Sequence, residues 1–430
     1  MSQSLELERK RIRRAAKGLA AAVKPIKVLR AIDWPAELRV RFFERKATEL
    51  PRPRYPAFDP APTQELLREV RSIRIATTSV AEWIARQAEA IEGAALMLAG
   101  AGTPAFFAHG RQLYGEPRAR LLAHPTTPLD LATSVRDVLE QLGMLNIDLS
   151  PPRSHSAAEV AERLSGAVVR HFGASAPRIE IVDVLSANAL AGASAIRLRR
   201  DARFTDRDAE QLLQHEAYIH VATALNGRAQ KDLPILAASH PYNARFQEGL
   251  AVFAEIVSGA IEMDRFARLA DRVFAIQLAI DGADFLEVYR FFLDRTGRAE
   301  QSFENARRVF RGGVVTGGAP FTKDCVYLFG LLQAGNTIRA LFASGRSDIL
   351  PLLFCGKLDV RDLPALCELA ALELLRPPRF VPPWIRDPRT LFALLTYNAF
   401  TSRIDLAPLV AIANDLLRDA PRVTFDDPRK

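Results

Sequence analysis

Cysteine is scarce in this chain: 3 residues in 430. Cys325, Cys355 and Cys367 show no C-x-x-C spacing, which excludes a disulfide scaffold and a thiolate zinc cage. The odd, sparse set reads as the reduced thiols of a cytoplasmic protein, and Cys355 and Cys367 as small buried apolar residues. Long hydrophobic runs are also missing. The uncharged stretch at residues 93–108 is too short for a bilayer and is broken by Gly100, Gly102 and Pro104, so no membrane span is expected. The opening MSQSLELERKRIRR has no apolar core of a secretory signal. No internal repeat, low-complexity tract or Ser/His/Asp order is readable. The glycines of RRVFRGGVVTGGAP lack the Gly-Lys-Ser/Thr of a phosphate loop.

What remains is a chain 49% hydrophobic and 25% charged, with +8 net charge, long enough for two or three domains. The charge is uneven. Residues 1–54 hold 15 Lys and Arg against 6 Asp and Glu, a balance of +9. Such a segment can attract an acidic partner or form a solvated helix face. Aromatic residues do not alternate with its cations as a stacking platform requires, so no specific nucleic acid is expected.

Most of the sequence has helical periodicity. Residues 4–31 form a charged amphipathic stretch, and the turn at Asp33-Trp34-Pro35 restarts a helix to Lys46. The proline-rich LPRPRYPAFDPAP at 50–62 must be an extended linker. Helical segments follow at 63–98, 104–113 and 128–143, and a loop near residue 150 is the expected boundary. The expected domains are a basic helical N-terminal region, residues 1–150, and a catalytic domain, residues 151–430. Beyond the boundary, Ser156 with Glu159 caps a helix. RIEIVDVL alternates as a half-buried strand does. The small-residue stretch SANALAGAS reads as a turn, and AIRLRR as a second strand. A helix then starts at Thr205, with Asp208 at its third position, and ends at Asn226-Gly227. The expected fold is mainly α (α+β), with a small sheet.

That last helix carries HEAYIH. In the familiar H-E-x-x-H pattern the histidines are four apart, about 40° from alignment at ~100° per residue. His215 and His220 are five apart, about 140° from alignment, so a regular α-helix places them on different faces. A π-bulge absorbs the extra residue, and the pair then predicts a widened turn around residues 217–219. Catalytic zinc takes three protein ligands and leaves a place for water. A glutamate on the next helix, in NARFQEGLAVFAEIVSG, can be the third. Glu248 is preferred because Gly249 lets another backbone approach there, and Glu255 is its competitor. His240 in ASHPYN is a further candidate, with capping of the next helix as its alternative.

HEAYIH followed by QEGLA resembles the bacterial flavohemoglobin expression-modulating QEGLA-motif family, related to the microtubule-associated tyrosine carboxypeptidases. The similarity runs from about residue 150 to beyond 340. It implies a zincin-like metallopeptidase with one zinc per chain, held by His215, His220 and Glu248, with Glu216 as general base. RVFRGG with FTKD looks like the family's second signature. A carboxypeptidase needs a cation for the substrate's carboxylate and a group for the oxyanion. Arg311 and Lys323, with Arg245 behind them, are the substrate-binding candidates, and Tyr327 is the catalytic one. The expected substrate is a peptide or protein C-terminus, the residue removed being by analogy aromatic. A zinc amidohydrolase acting on a small substrate, and a non-catalytic interaction protein that keeps the fold, stay as alternatives.

Overall fold

The computed structural model describes residues 3–120, 125–143, 155–183, 185, 188–192 and 194–401, together with positions 403, 408, 412, 415 and 418. Contacts divide the chain into two units, residues 1–382 and 383–430. The smaller carries the helix Arg389–Thr401, preceded by the single turn Pro383–Arg386. The boundary expected near residue 150 lies outside the described residues.

The larger unit is mainly helical, as the apolar periodicity implies. The basic start forms the helix Gln3–Val23, which buries Ile12, Ala15, Ala16 and Leu19, together with the charged Glu8 and Arg9. Pro25 lies in the break that follows, before the short turn Val28–Ala31. The long helical region expected after the linker is two helices, Ala61–Arg71 and Thr78–Ala99, parted at residues 72–77. Both predicted capping boxes form: Ser156 with Glu159, and Thr205 with Asp208. Each satisfies donors that a helix start leaves open.

Sheet structure is small. β1 (His155–Ser156) pairs with β5 (Arg203–Phe204). β2 (Arg178–Val182), β3 (Ala189–Gly192) and β4 (Ala195–Arg199) form a three-stranded sheet ordered β2-β4-β3. β2 runs parallel to β4 with Ile179 opposite Ile196, and β3 runs antiparallel to it with Ala191 opposite Ile196. The stretch read as a small-residue turn therefore contains an edge strand. Its residues, Ala-Leu-Ala-Gly, have little strand preference, and pairing with β4 fixes them instead.

Two helices carry the centre of the molecule. Pro241–Val257 lies against Val326–Ala343 at glycine–glycine contact, and a Cβ on Gly249 would overlap the Gly330 carbonyl. The close approach inferred for Gly249 is thus present. Aromatic rings join the N-terminal segment to this body. Phe42 lies 5.4 Å from Phe285 and 5.1 Å from Phe303, and Trp34 5.6 Å from Phe285.

Candidate metal centre and substrate cleft

The histidine helix begins as Asp206–Leu212, widens into a π-helix over Leu213–Val221, and resumes as Ala222–Ala229. The π-turn closes i to i+5, so residues five apart come to one side. His215 and His220 are there, with ring centroids 4.8 Å apart. The expected widening is real and longer than residues 217–219. Gly227 does not end the helix. It sits where the backbone of Leu236 comes too close for any side chain, and the helix runs on to Ala229.

Glu248 reaches this pair from Pro241–Val257. Its Oε2 lies 3.6 Å from His215 Nε2 and 3.6 Å from His220 Nε2. One donor atom from each of the three residues falls within 4.8 Å of the others. Two imidazole nitrogens and a carboxylate oxygen are a donor set that suits zinc. Burial alone would raise the pKa of Glu248, but Lys323 and the two imidazoles reverse this and hold it well below the usual carboxylate range.

Glu255, the competitor, takes a different place. It lies two turns further along the same helix, and its Oε1 accepts a hydrogen bond from His215 Nδ1 at 2.6 Å. Arg265 approaches both oxygens of Glu255 at 3.3 Å. The Glu255 carboxylate holds a proton on Nδ1 and orients the ring so that Nε2 faces Glu248. Glu255 is buried, which opposes ionisation, yet Arg265 and His215 bring its pKa down to about 2. Burial also disfavours a charged His215, and the carboxylates of Glu248 and Glu255 outweigh it, lifting its pKa to about 10. His220 goes the other way. Burial lowers its pKa, Glu248 only partly offsets this, and the nearby Lys357 adds to the fall.

The three residues line a cleft of about 850 Å³. Glu216 is half-buried on its wall, beside His215. Edge strand β3 forms one side, and Arg311, Lys323 and Tyr327 form another. Sequence reasoning had set these three together. It missed how they are held. Arg308 grips Asp324 through two bonds of 2.7 and 2.8 Å, and Arg272 lies 3.7 Å from the same carboxylate. Lys323 Nζ sits 3.4 Å from Glu248 Oε1 and 5.1 Å from the centre of the Tyr327 ring. Arg311 has no ion pair among the described residues, although it is only 8% exposed, and its Nε has no partner. Burial, and next the charge of Arg308, depress its pKa to about 10.

Arg245 does not join this group. Its guanidinium lies 4.1 Å above the Phe329 ring and is not part of the cleft lining. His240 does line the cleft, while its backbone N–H donates to Asn243 at the start of the helix. Burial takes its pKa down to about 4, so it is neutral.

Lys357 had no sequence signal. Its ammonium, 7% exposed at the residue level, donates to the His220 carbonyl at 3.2 Å and to Gln247 Oε1 at 3.1 Å. Gln247 Oε1 also lies 2.9 Å from the Thr223 hydroxyl, so the Gln of QEGLA ties the glutamate helix to the histidine helix. Exposed Lys24, Lys27, Arg30 and Arg228 stand at the rim of the cleft, with no ion pair among the described residues.

Residues 40–403 match the family of microtubule-associated tyrosine carboxypeptidases. The chain belongs to this family. The match reaches beyond the 150–340 stretch that carries the motifs and takes in most of the N-terminal helices. No curated protein matches the chain. Membership makes it a peptidase of carboxypeptidase type. Among the described residues no helix is long and apolar enough to cross a membrane.

Proposed function

We propose that the chain is a zinc-dependent carboxypeptidase, with His215, His220 and Glu248 holding one zinc ion and Glu216 as general base. The observation that carries this reading is the convergence of three donor groups on a π-turn, with a second carboxylate, Glu216, beside them in an open cleft. A bound zinc supplies Lewis-acid polarisation of the scissile carbonyl and lowers the pKa of a water toward ~7. Glu216 takes the proton of the attacking water at its carboxylate and passes it to the leaving amine. A purely structural metal site has no use for such a base, which weighs against a non-catalytic protein.

The remaining roles follow from the charges. Arg311, a buried guanidinium without an ion pair among the described residues, receives the substrate's terminal carboxylate. Lys323 keeps Glu248 ionised, and Tyr327 donates its phenolic proton to the oxyanion. Among the described residues edge strand β3 pairs on one side only, and its other side suits an extended peptide added as a strand. The cleft volume suits a peptide better than a small amide substrate. The residue removed is aromatic, by analogy with the family's name. The exposed cations at the rim attract acidic residues upstream of the cleavage point, which is how the basic N-terminal segment takes part. The protein acts in the cytoplasm.

The test is metal content by mass spectrometry together with release of the last residue from peptides with free C-termini. One zinc per chain, lost with activity in His220→Ala, is the expected result. Full activity without metal sinks the reading.

A further inference from the structure

The proline-rich segment 50–62 is not a passive connector. It is extended and irregular at residues 50–60, and its five prolines restrict the backbone. At its middle, Tyr55 packs against the aromatic cluster of Trp34, Phe42, Phe285 and Phe303. The phenolic oxygen accepts two hydrogen bonds, from Trp34 Nε1 at 2.8 Å and from the backbone N–H of Gly312 at 2.8 Å.

Gly312 directly follows Arg311. Its φ of +78° belongs to the left-handed region, and Phe106 fills the space a Cβ would need. Its carbonyl accepts from the Gly102 N–H at 2.8 Å, and Gly102, at φ +83°, lies beneath the Tyr55 ring. The turn is therefore held on one side by Tyr55 and on the other by the backbone of Gly102. This grip matters for Arg311 in particular. Arg308 and Lys323 are steered by carboxylates, whereas Arg311 has no ion pair among the described residues to orient it. Besides the Phe321 ring, whose centre lies 6.0 Å from its guanidinium, what places Arg311 in the cleft is where its backbone is held.

We propose that Tyr55 is a positioning residue, whose phenolic oxygen fixes the Arg311–Gly312 turn so that the Arg311 guanidinium stands ready for the substrate's terminal carboxylate. The proposal rests on the carboxylate-binding role given to Arg311 above. Without the phenol oxygen, the Gly312 N–H and the Trp34 indole lose their acceptor, and the turn shifts to find another.

The experiment compares one peptide carrying a free C-terminus with the same peptide as its C-terminal amide. Binding of both is measured on the full-length, zinc-loaded chain in a Glu216→Gln background. Tyr55→Phe is expected to cut the preference for the free carboxylate about tenfold. In the Glu216 parent it should raise KM by a similar factor, with kcat and zinc content unchanged. Trp34→Phe, which removes the indole donor and leaves the Tyr55–Gly312 bond, should keep the preference within about twofold. Gly102→Ala, which crowds the Tyr55 ring and strains the left-handed Gly102 backbone bonded to Gly312, should lower it in the same direction by a smaller factor, and serves if Tyr55→Phe folds poorly. An unchanged preference in both Tyr55→Phe and Gly102→Ala overturns the proposal, and so does equal weakening of acid and amide. Arg311→Met separates the two readings. If it leaves the preference intact, the role of Arg311 itself is wrong. If it abolishes the preference while Tyr55→Phe does not, only the positioning role fails.

Discussion

The two sides of the cleft treat charge differently. Behind the histidine helix the charges form a chain: His215 donates to Glu255, and Glu255 is held by Arg265. On the facing side Arg308 and Asp324 pair, Lys323 leans on Glu248, and Arg311 is left over. A buried cation without an anion costs stability, because desolvation is not repaid by attraction. The paired side has the marks of a scaffold that fixes geometry. On the proposed reading, the other side is the receptor for the substrate's carboxylate.

The sharpest way to break this contrast is at Glu216, which has neither role. Glu216→Gln keeps the side-chain volume and the three donor groups. It is expected to lower peptide turnover by about 10²–10⁴-fold, the range for loss of a general base. Metal content, read on the same sample, should stay at one per chain. Turnover that survives intact means that another group moves the proton.

Arg311→Met tests the receptor side. Charge-assisted hydrogen bonds contribute about 1.5–3 kcal/mol each, so kcat/KM on a free C-terminus should fall roughly 10- to 150-fold. Thermal stability should hold or rise, since an unpaired buried charge is removed. A fall in stability with unchanged kinetics would make Arg311 a structural residue.

Glu255→Gln tests the scaffold side. The orienting partner of a metal-binding histidine typically contributes 10- to 100-fold in affinity, and zinc binding by competition with a chelator should weaken by that factor. The same variant has an acid-side signature in metal-free protein. Glu255 titrates near 2 in the fold, below its ordinary 4.5, so the native state binds fewer protons between those values. The stability it contributes is present above about pH 4.5 and is lost as the pH falls toward 2. In Glu255→Gln that limb of the Tm–pH profile should flatten. An unchanged profile would mean that Glu255 contributes little to the pairing.

How far the sequence foretold this depends on the kind of constraint. The widened turn at His215 and His220 was legible because a regular α-helix cannot bring residues five apart to one side. The approach at Gly249 and the two capping boxes were legible because each is a local rule with one physical answer. The division of labour between Glu248 and Glu255 was not. They are seven apart, two turns along one helix face, and only the crossing of that helix over the histidines decides which meets Nε2 and which Nδ1. Lys357 lies 137 positions from His220, and no pattern links them. Arg245 was placed behind the cleft cations as a substrate-binding candidate, yet its position on the helix turns it to Phe329. The strand in Ala189–Gly192 is imposed by its neighbour, and the grip of Tyr55 on Gly312 spans 257 positions.

The smallest expected effect lies at the rim, where surplus positive charge continues in solvent. Lys24, Lys27 and Arg30 stand there, on a segment that precedes the matched residues 40–403. Exposed charges act weakly and at long range: each pair is worth about 0.2–1 kcal/mol, and salt screens them over roughly 8–10 Å. Their contribution should therefore fall on the capture of acidic peptides rather than on the chemistry. Reversing all three to Glu is expected to raise KM for a peptide with acidic residues upstream of its C-terminus by several-fold at low salt. KM for a neutral peptide should move little, and kcat for neither. The difference between the two peptides should shrink as ionic strength rises. If the triple variant instead lowers kcat for both, the segment belongs to the cleft's architecture, and the surplus charge at the rim is incidental.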